Sequence, residues 1–206
     1  MSELTLVTTC MGRLDHLKQV MPGRMLLKNC DHVVVDWSCP ENCGAWLREN
    51  FPQVRVVSVP GQAYFISPKA KNAGVRAAVT EKVLLLDVDM LVVPGLEDSV
   101  LSVMVPGTFA VCGAAKGLSG AIAFFKSDWE KLGGCDETLE GYCPDDSMMC
   151  VSFRVMGLKP VKYDWTFLSH IKHSNLQRGA RLVPGDRAAR NAANMWKLHQ
   201  KRYGLS

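Results

Sequence analysis

Long apolar runs are missing from this 206-residue chain: none approaches the roughly 20 residues that a membrane-spanning helix needs. The opening Met1-Ser2-Glu3-Leu4 has no basic stretch leading into an apolar one, so no signal peptide is expected and a cytoplasmic location is predicted. Repeats and low-complexity segments are absent, which excludes solenoids and fibrous arrays. Eight cysteines are present, but no C-x-x-C pair or Cys/His cluster has the spacing of a zinc site. They read as small core residues in a reducing compartment, with a Cys39–Cys43 bridge as the alternative. Aromatic residues are scarce towards the C-terminus, where only Trp196 and Tyr203 stand beyond residue 175. That is too few for a surface that stacks nucleic-acid bases.

Positive charge is short in one part of the chain and concentrated in another. The net charge is +4, yet His170 to Ser206 holds eight Lys/Arg against one acid, a surplus of seven, so the preceding residues are net acidic by three. A basic helix is predicted from Asp186 to just before Gly204, carrying Arg187, Arg190, Lys197, Lys201 and Arg202. It is either a solvated face or a surface for a phosphate-bearing partner.

What the first half does contain is regular alternation. Leu4–Thr8 reads as a strand ending at Thr9-Cys10, followed by a helix from Gly12 to Leu27 with Leu14, Leu17 and Met21 at helical spacing. A second strand at His32–Val35 ends in Asp36, and Cys43 to Asn50 is a short helix. A third strand, Val54–Val59, closes at Pro60-Gly61. Ser67-Pro68 predicts a helix start with a capping hydroxyl, running to about Thr80, and Val83–Leu86 is the fourth strand. This β-α-β-α-β-α-β order predicts an α/β fold with a mostly parallel sheet covered by helices. The second half offers strands at Phe109–Cys112 and Ala121–Phe125 and helices at Ser127–Leu132 and Asp145–Met156. One domain is expected, with residues 1–93 and 94–175 as its two halves and 176–206 as a basic extension.

Ligands of such sheets bind beyond the carboxyl ends of the strands, and Thr9, Asp36, Asp87 and Asp89 all lie there. Asp87-Val88-Asp89 is the most pointed of these, because two carboxylates interrupt an apolar stretch, Val83–Leu86 before and Met90–Val93 after. Unpaired carboxylates are costly to bury, and a divalent cation is the economical counter-charge. On an extended segment two residues apart face the same way, so both side chains are expected to reach one metal–phosphate assembly. On the third helix Lys69, Asn72 and Arg76 share a face, where the cations would meet phosphates or simply be solvated.

Four segments together resemble GT-A-fold glycosyltransferases, in particular inverting family-two enzymes and the galactosyltransferase C-terminal module. They are Leu6–Leu14 with His16-Leu17, Val33–Ser38, Lys71-Asn72-Ala73-Gly74 with Leu85–Asp89, and Gly133–Glu137 with Gly141–Asp146. The resemblance implies a GT-A fold, a UDP-sugar donor and Mn²⁺ or Mg²⁺. It implies that Thr9, Arg13, Asp36, Lys71, Asn72 and Asp87 bind the donor and that Asp89, with Asp87, holds the metal. His173 would complete that site, with His170 as the alternative. Asp146 would be the general base, and Asp145 and Tyr142 would hold the acceptor. The chain departs from the family pattern at Lys71, where arginine is usual, and at Tyr142 and Pro144 in the segment before the acid pair.

The residue types suit the chemistry. A diphosphate leaving group needs a Lewis acid, and an acceptor hydroxyl needs a base on the opposite face, which implies inversion. A saccharide acceptor ranks first, a hydroxylated base in DNA second, and association with anionic membranes third. Two other classes compete: a nucleotidyltransferase, for which Thr9–Arg13 is a poor phosphate loop, and a non-catalytic nucleotide-sugar-binding module.

Overall fold

The computed structural model describes residues 2–112, 118–141, 145–174 and 180–183. The predicted C-terminal helix and Tyr142 lie outside them. Strands β1 (Leu4–Cys10), β2 (Cys30–Trp37), β3 (Arg55–Val59) and β4 (Lys82–Leu85) alternate with helices α1 (Leu14–Arg24), α2 (Cys43–Asn50) and α3 (Ser67–Arg76). After β4 come β5 (Met90–Val92), α4 (Leu96–Val103), β6 (Thr108–Cys112), β7 (Ile122–Phe125), α5 (Lys126–Leu132), α6 (Asp145–Val155), β8 (Lys159–Tyr163) and β9 (Leu168–His170). Seven strands form one sheet in the order β3-β2-β1-β4-β7-β6-β8, and β5 with β9 forms a separate two-stranded ribbon. Neighbours in the large sheet run parallel except at β7, which is antiparallel to both β4 and β6.

The central position of β1 shows in its burial: all seven residues are buried, as expected for a strand covered by helices on both faces. Its threonines are tolerated there because their hydroxyls are satisfied. Thr5 Oγ1 lies 2.7 Å from Thr80 Oγ1, and Thr8 Oγ1 donates to Leu86 O at 2.9 Å. The edge strands show the opposite character. β3 exposes Arg55 and Ser58, and β8 exposes Lys159, Pro160 and Lys162, residues that discourage pairing with another chain.

Several boundaries differ from the sequence expectation. The first helix is shorter at both ends than Gly12–Leu27, although it accommodates Pro22. The third ends at Arg76 rather than near Thr80, and Ser67 does not cap it: the N-cap residue is Ile66, with no side-chain capping bond. The Ser67 hydroxyl instead donates to Asp145 Oδ2 at 2.7 Å. Strand β5, helix α4 and strands β8 and β9 were not expected. No helix among the described residues is long and apolar enough to cross a membrane.

Candidate active site

Asp87, Val88 and Asp89 do not continue β4. They form a turn, closed by Met90 N donating to Asp87 O at 3.2 Å. The strand-alternation argument therefore fails here, and the two carboxylates head into different surroundings. What aims Asp89 is the β5–β9 ribbon, whose antiparallel register sets Met90 opposite His170. Ile171 N donates to Asp89 O at 2.8 Å, so the chain leaving β9 folds back over the turn. His173 Nε2 comes to rest 2.8 Å from Asp89 Oδ2, and His170 Nε2 lies 3.5 Å from the same oxygen. Arg13 Nη1 approaches it at 3.8 Å and lies 3.2 Å from His16 Nδ1, while the His16 and His173 rings are 5.9 Å apart. Burial, with Arg13 beside it, lowers the pKa of His16.

These residues fit a divalent cation. Adjacent donors of an octahedral cation at about 2.1 Å sit roughly 3 Å from one another, close to the separations found here. The ligand atoms of Asp89, His170 and His173 all lie within 4.8 Å of one another. Asp89 Oδ2 faces the histidines, and the other oxygen, Oδ1, is buried with no hydrogen-bond partner among the described residues, so the carboxylate keeps an open lone-pair set for a cation. One carboxylate and two imidazoles suit Mn²⁺ or a similar metal. Both histidines that the sequence offered as alternatives face Asp89, with His173 the more enclosed at 3% side-chain exposure against 24%.

A second cluster forms where α3 meets the start of α6. Lys71 Nζ donates to Asp145 Oδ2 at 2.7 Å and to Asp146 Oδ1 at 2.5 Å, with its side chain 5% exposed. Burial pulls the Lys71 pKa down, but the two carboxylates outweigh it and hold the ammonium well above the usual lysine value. The acids respond differently. Burial raises both, yet Lys71 and the Ser67 hydroxyl bring Asp145 below the ordinary aspartate value, whereas Asp146 stays above it. Asp87 links the two clusters: burial, with the charges of Asp146 and Asp89, pushes its pKa up to about 8 against the pull of Lys71. Its carboxylate lies so near Gly120 that a Cβ there would stand 2.1 Å from Oδ2, so only glycine is accommodated. A cavity of about 230 Å³ opens beside Asp146, lined also by Ser119, Ser147, Cys150 and Arg154.

Other residues expected at the site are held in separate networks. Asp36 accepts from Cys39 N at 2.9 Å and Gly44 N at 3.2 Å, fixing the entry into α2. Asn72 is fully buried and its amide serves the Gly133–Glu137 loop. It donates to Cys135 O and Glu137 Oε1 at 2.9 and 2.8 Å and accepts from Cys135 N at 2.8 Å. Gly134 has φ +77° there, and a Cβ would lie 2.9 Å from Asn72 Oδ1. Arg76 pairs with Glu137 at 3.0 Å on the surface. Thr9 is buried at the end of β1.

One supporting residue escaped sequence reasoning altogether. Arg24, 1% exposed at the end of α1, donates to Thr8 Oγ1, to Asp87 O at 2.7 Å and to Met90 O at 3.1 Å. It spans both ends of the Asp87–Met90 turn. Burial lowers its pKa to about 10, with Asp87 and Asp89 opposing the shift. The signal available beforehand was an arginine at a helix C-terminus, which reads first as a surface residue.

No family model matches the chain, and comparison with curated proteins gave no match. Solved structures do match. The Pyrobaculum calidifontis mannosyltransferase PcManGT, solved with GDP-Man and Mn²⁺, has a TM-score of 0.67 at 16% identity over 87% of this chain and 61% of that one. S. aureus TarS gives 0.70 at 9% identity, over 85% of this chain and 38% of that one. The catalytic domain of Drosophila β1,4-galactosyltransferase 7, in complex with xylobiose, gives 0.62 at 16% identity, over 90% and 76%. The chain thus spans less than two thirds of the length of the first two. The sheet order, the helical cover and these likenesses together identify the fold as GT-A, the fold of the glycosyltransferases it resembles.

Proposed function

We propose that this chain is a metal-dependent glycosyltransferase that moves a sugar from a UDP-sugar to the hydroxyl of a saccharide acceptor, with inversion. The observation that carries the reading is the convergence of Asp89, His170 and His173 on one point beyond the carboxyl end of a GT-A sheet. When bound there, Mn²⁺ or Mg²⁺ would stabilise the charge developing on the diphosphate as a Lewis acid. Arg13, beside Asp89, adds a second positive group on the donor side. Asp146 accepts the proton of the acceptor hydroxyl, and its raised pKa makes it a better base than an ordinary aspartate. Lys71 holds Asp145 and Asp146 in register and offsets their mutual repulsion. In this reading residues 1–93 hold the nucleotide, 94–175 supply the acceptor site and the histidines, and the cavity beside Asp146 receives the acceptor.

The donor reading draws support from TarS, solved in complex with UDP, and from the Drosophila enzyme, solved with manganese, UDP-Gal and xylobiose. PcManGT, solved with GDP-Man, makes GDP-sugars the comparison donor. A nucleic-acid acceptor lacks equivalent support, because the organic ligands in these neighbours' structures are nucleotides, nucleotide sugars and xylobiose. The test is release of nucleoside diphosphate from a panel of UDP- and GDP-sugars with Mn²⁺, with Mg²⁺ and with a chelator. Metal-dependent release from UDP-sugars, enhanced by oligosaccharides, is expected; no donor turnover with any metal would sink the reading.

A further inference from the structure

The cysteines, read from sequence as scattered core residues, are not all scattered. Cys10 ends β1, Cys39 sits in the loop after β2, and Cys43 is the first residue of α2; all three are buried. Their sulfur atoms lie within 4.8 Å of one another, and all three thiols are free. Sequence spacing concealed this, because 28 residues lie between Cys10 and Cys39. We propose that Cys10, Cys39 and Cys43 bind one thiophilic cation, Zn²⁺ or Cu⁺, that clamps β1, the β2–α2 loop and the start of α2 together. The inference stands apart from the transferase reading and uses none of its residues as ligands.

Three lines of geometry carry it. A cation held about 2.3 Å from each of three sulfurs needs them roughly 4 Å apart, which this cluster meets with little movement. The segments are already fixed in place: Asp36 accepts from the backbone N–H of Cys39 and from that of Gly44, the residue after Cys43. Gly12 N also donates to Cys39 Sγ at 3.3 Å, the kind of N–H···S bond that stabilises a thiolate. The negative charge of bound thiolates is offset by the N-terminal end of α2, where Cys43 lies, and by the buried Arg24, on which the charge of Cys10 acts. Soft sulfur ligands select Zn²⁺ and Cu⁺ over Mn²⁺ or Mg²⁺, so the cluster would not compete with Asp89 for its metal. Three sulfurs with no fourth His, Cys, Asp or Glu among the described residues complete a trigonal Cu⁺ site, but leave Zn²⁺ one position for water.

The position gives the clamp a purpose. Cys10 lies three residues before Arg13, which reaches Asp89, and Gly12 bonds directly to Cys39. An occupied cluster would hold the Cys10–Arg13 segment against α2 and so steady Arg13.

The test uses the full chain, reduced and stripped of metal. Co²⁺ titration is expected to give a thiolate-to-cobalt charge-transfer band in the near ultraviolet at one equivalent. The band should survive His173→Ala and Cys30→Ser and disappear in Cys39→Ser. Zn²⁺ competing away the cobalt band identifies the zinc form, and transfer of Cu⁺ from a chromophoric chelator without zinc competition identifies the copper form. Cys39→Ser should weaken binding beyond the roughly 10–100-fold lost with an outer-shell partner. X-ray absorption on the wild-type protein, showing sulfur neighbours at the metal, answers the question without a variant that must fold. Absence of sulfur ligation for Co²⁺, Zn²⁺ and Cu⁺ in the reduced protein would overturn the proposal.

Discussion

Lys71 is the residue on which the two acids of the α6 N-terminus depend, since its ammonium bridges both carboxylates from a buried position. It lowers the pKa of Asp146, which burial and Asp145 raise. A general base works deprotonated, so with Asp146 in the role proposed for it turnover is expected to fall as pH drops through its raised pKa, giving an acid limb above the ordinary aspartate range. Lys71→Met removes the lowering influence and should move the limb further up; a pH–rate profile that does not move would separate Lys71 from the base. Asp146→Asn should leave donor binding intact by calorimetry while lowering kcat by roughly 10²–10⁴-fold. On the metal side, Asp89→Ala should abolish metal-supported turnover. His173→Ala should raise the Mn²⁺ concentration needed more than His170→Ala does, because His173 is nearer to Asp89 Oδ2 and more enclosed.

At the scale of elements, two contacts hold the site in shape from behind. Arg24, at the end of α1, binds the carbonyls at both ends of the Asp87–Met90 turn. Arg24→Met removes a buried charge, and although Asp87 O keeps its bond from Met90 N, Met90 O loses its Arg24 donor at a cost of about 1–3 kcal/mol. The expected result is a lower urea midpoint together with weaker Mn²⁺ binding, since the turn carries Asp89. Asn72 does the same for the Gly133–Glu137 loop, with three hydrogen bonds from a fully buried amide. Asn72→Ala should therefore destabilise by about 1–3 kcal/mol. Arg76→Ala, which breaks only an exposed ion pair with Glu137, should cost less than about 1 kcal/mol. Equal effects of the two in urea denaturation would show that the loop is not held through Asn72.

The whole molecule joins a regular half to an irregular one, and legibility in the sequence follows that division. Strands β1, β2 and β4 each bury consecutive residues, and their centres appear as short apolar stretches, Leu6-Val7, Val33–Val35 and Val83–Leu85, between helical patterns. Strands β5 and β9 have three residues each, too few to show a period. Strand β8 carries Pro160, tolerated because it lies at the sheet edge. Charge at the molecular scale also yields a test. Reversing Lys197, Lys201 and Arg202 to Glu should leave transfer to an oligosaccharide unchanged, whereas loss of salt-sensitive DNA retardation would revive the nucleic-acid acceptor.

The sequence alone determined the α/β alternation, the strand-end position of Asp36, Asp87 and Asp89, and the likeness to GT-A enzymes, because burial periodicity and short motifs are local properties. The tertiary structure decided the rest. A three-residue ribbon brings two histidines from some eighty residues away onto Asp89, a separation of 84 positions for His173. Helix packing sets Lys71, expected from the resemblance to bind the donor, as a bridge between two acids, and adjacent strand ends gather three cysteines from two distant stretches. Each of these depends on pairing register and packing between remote segments, which no window of neighbouring residues encodes.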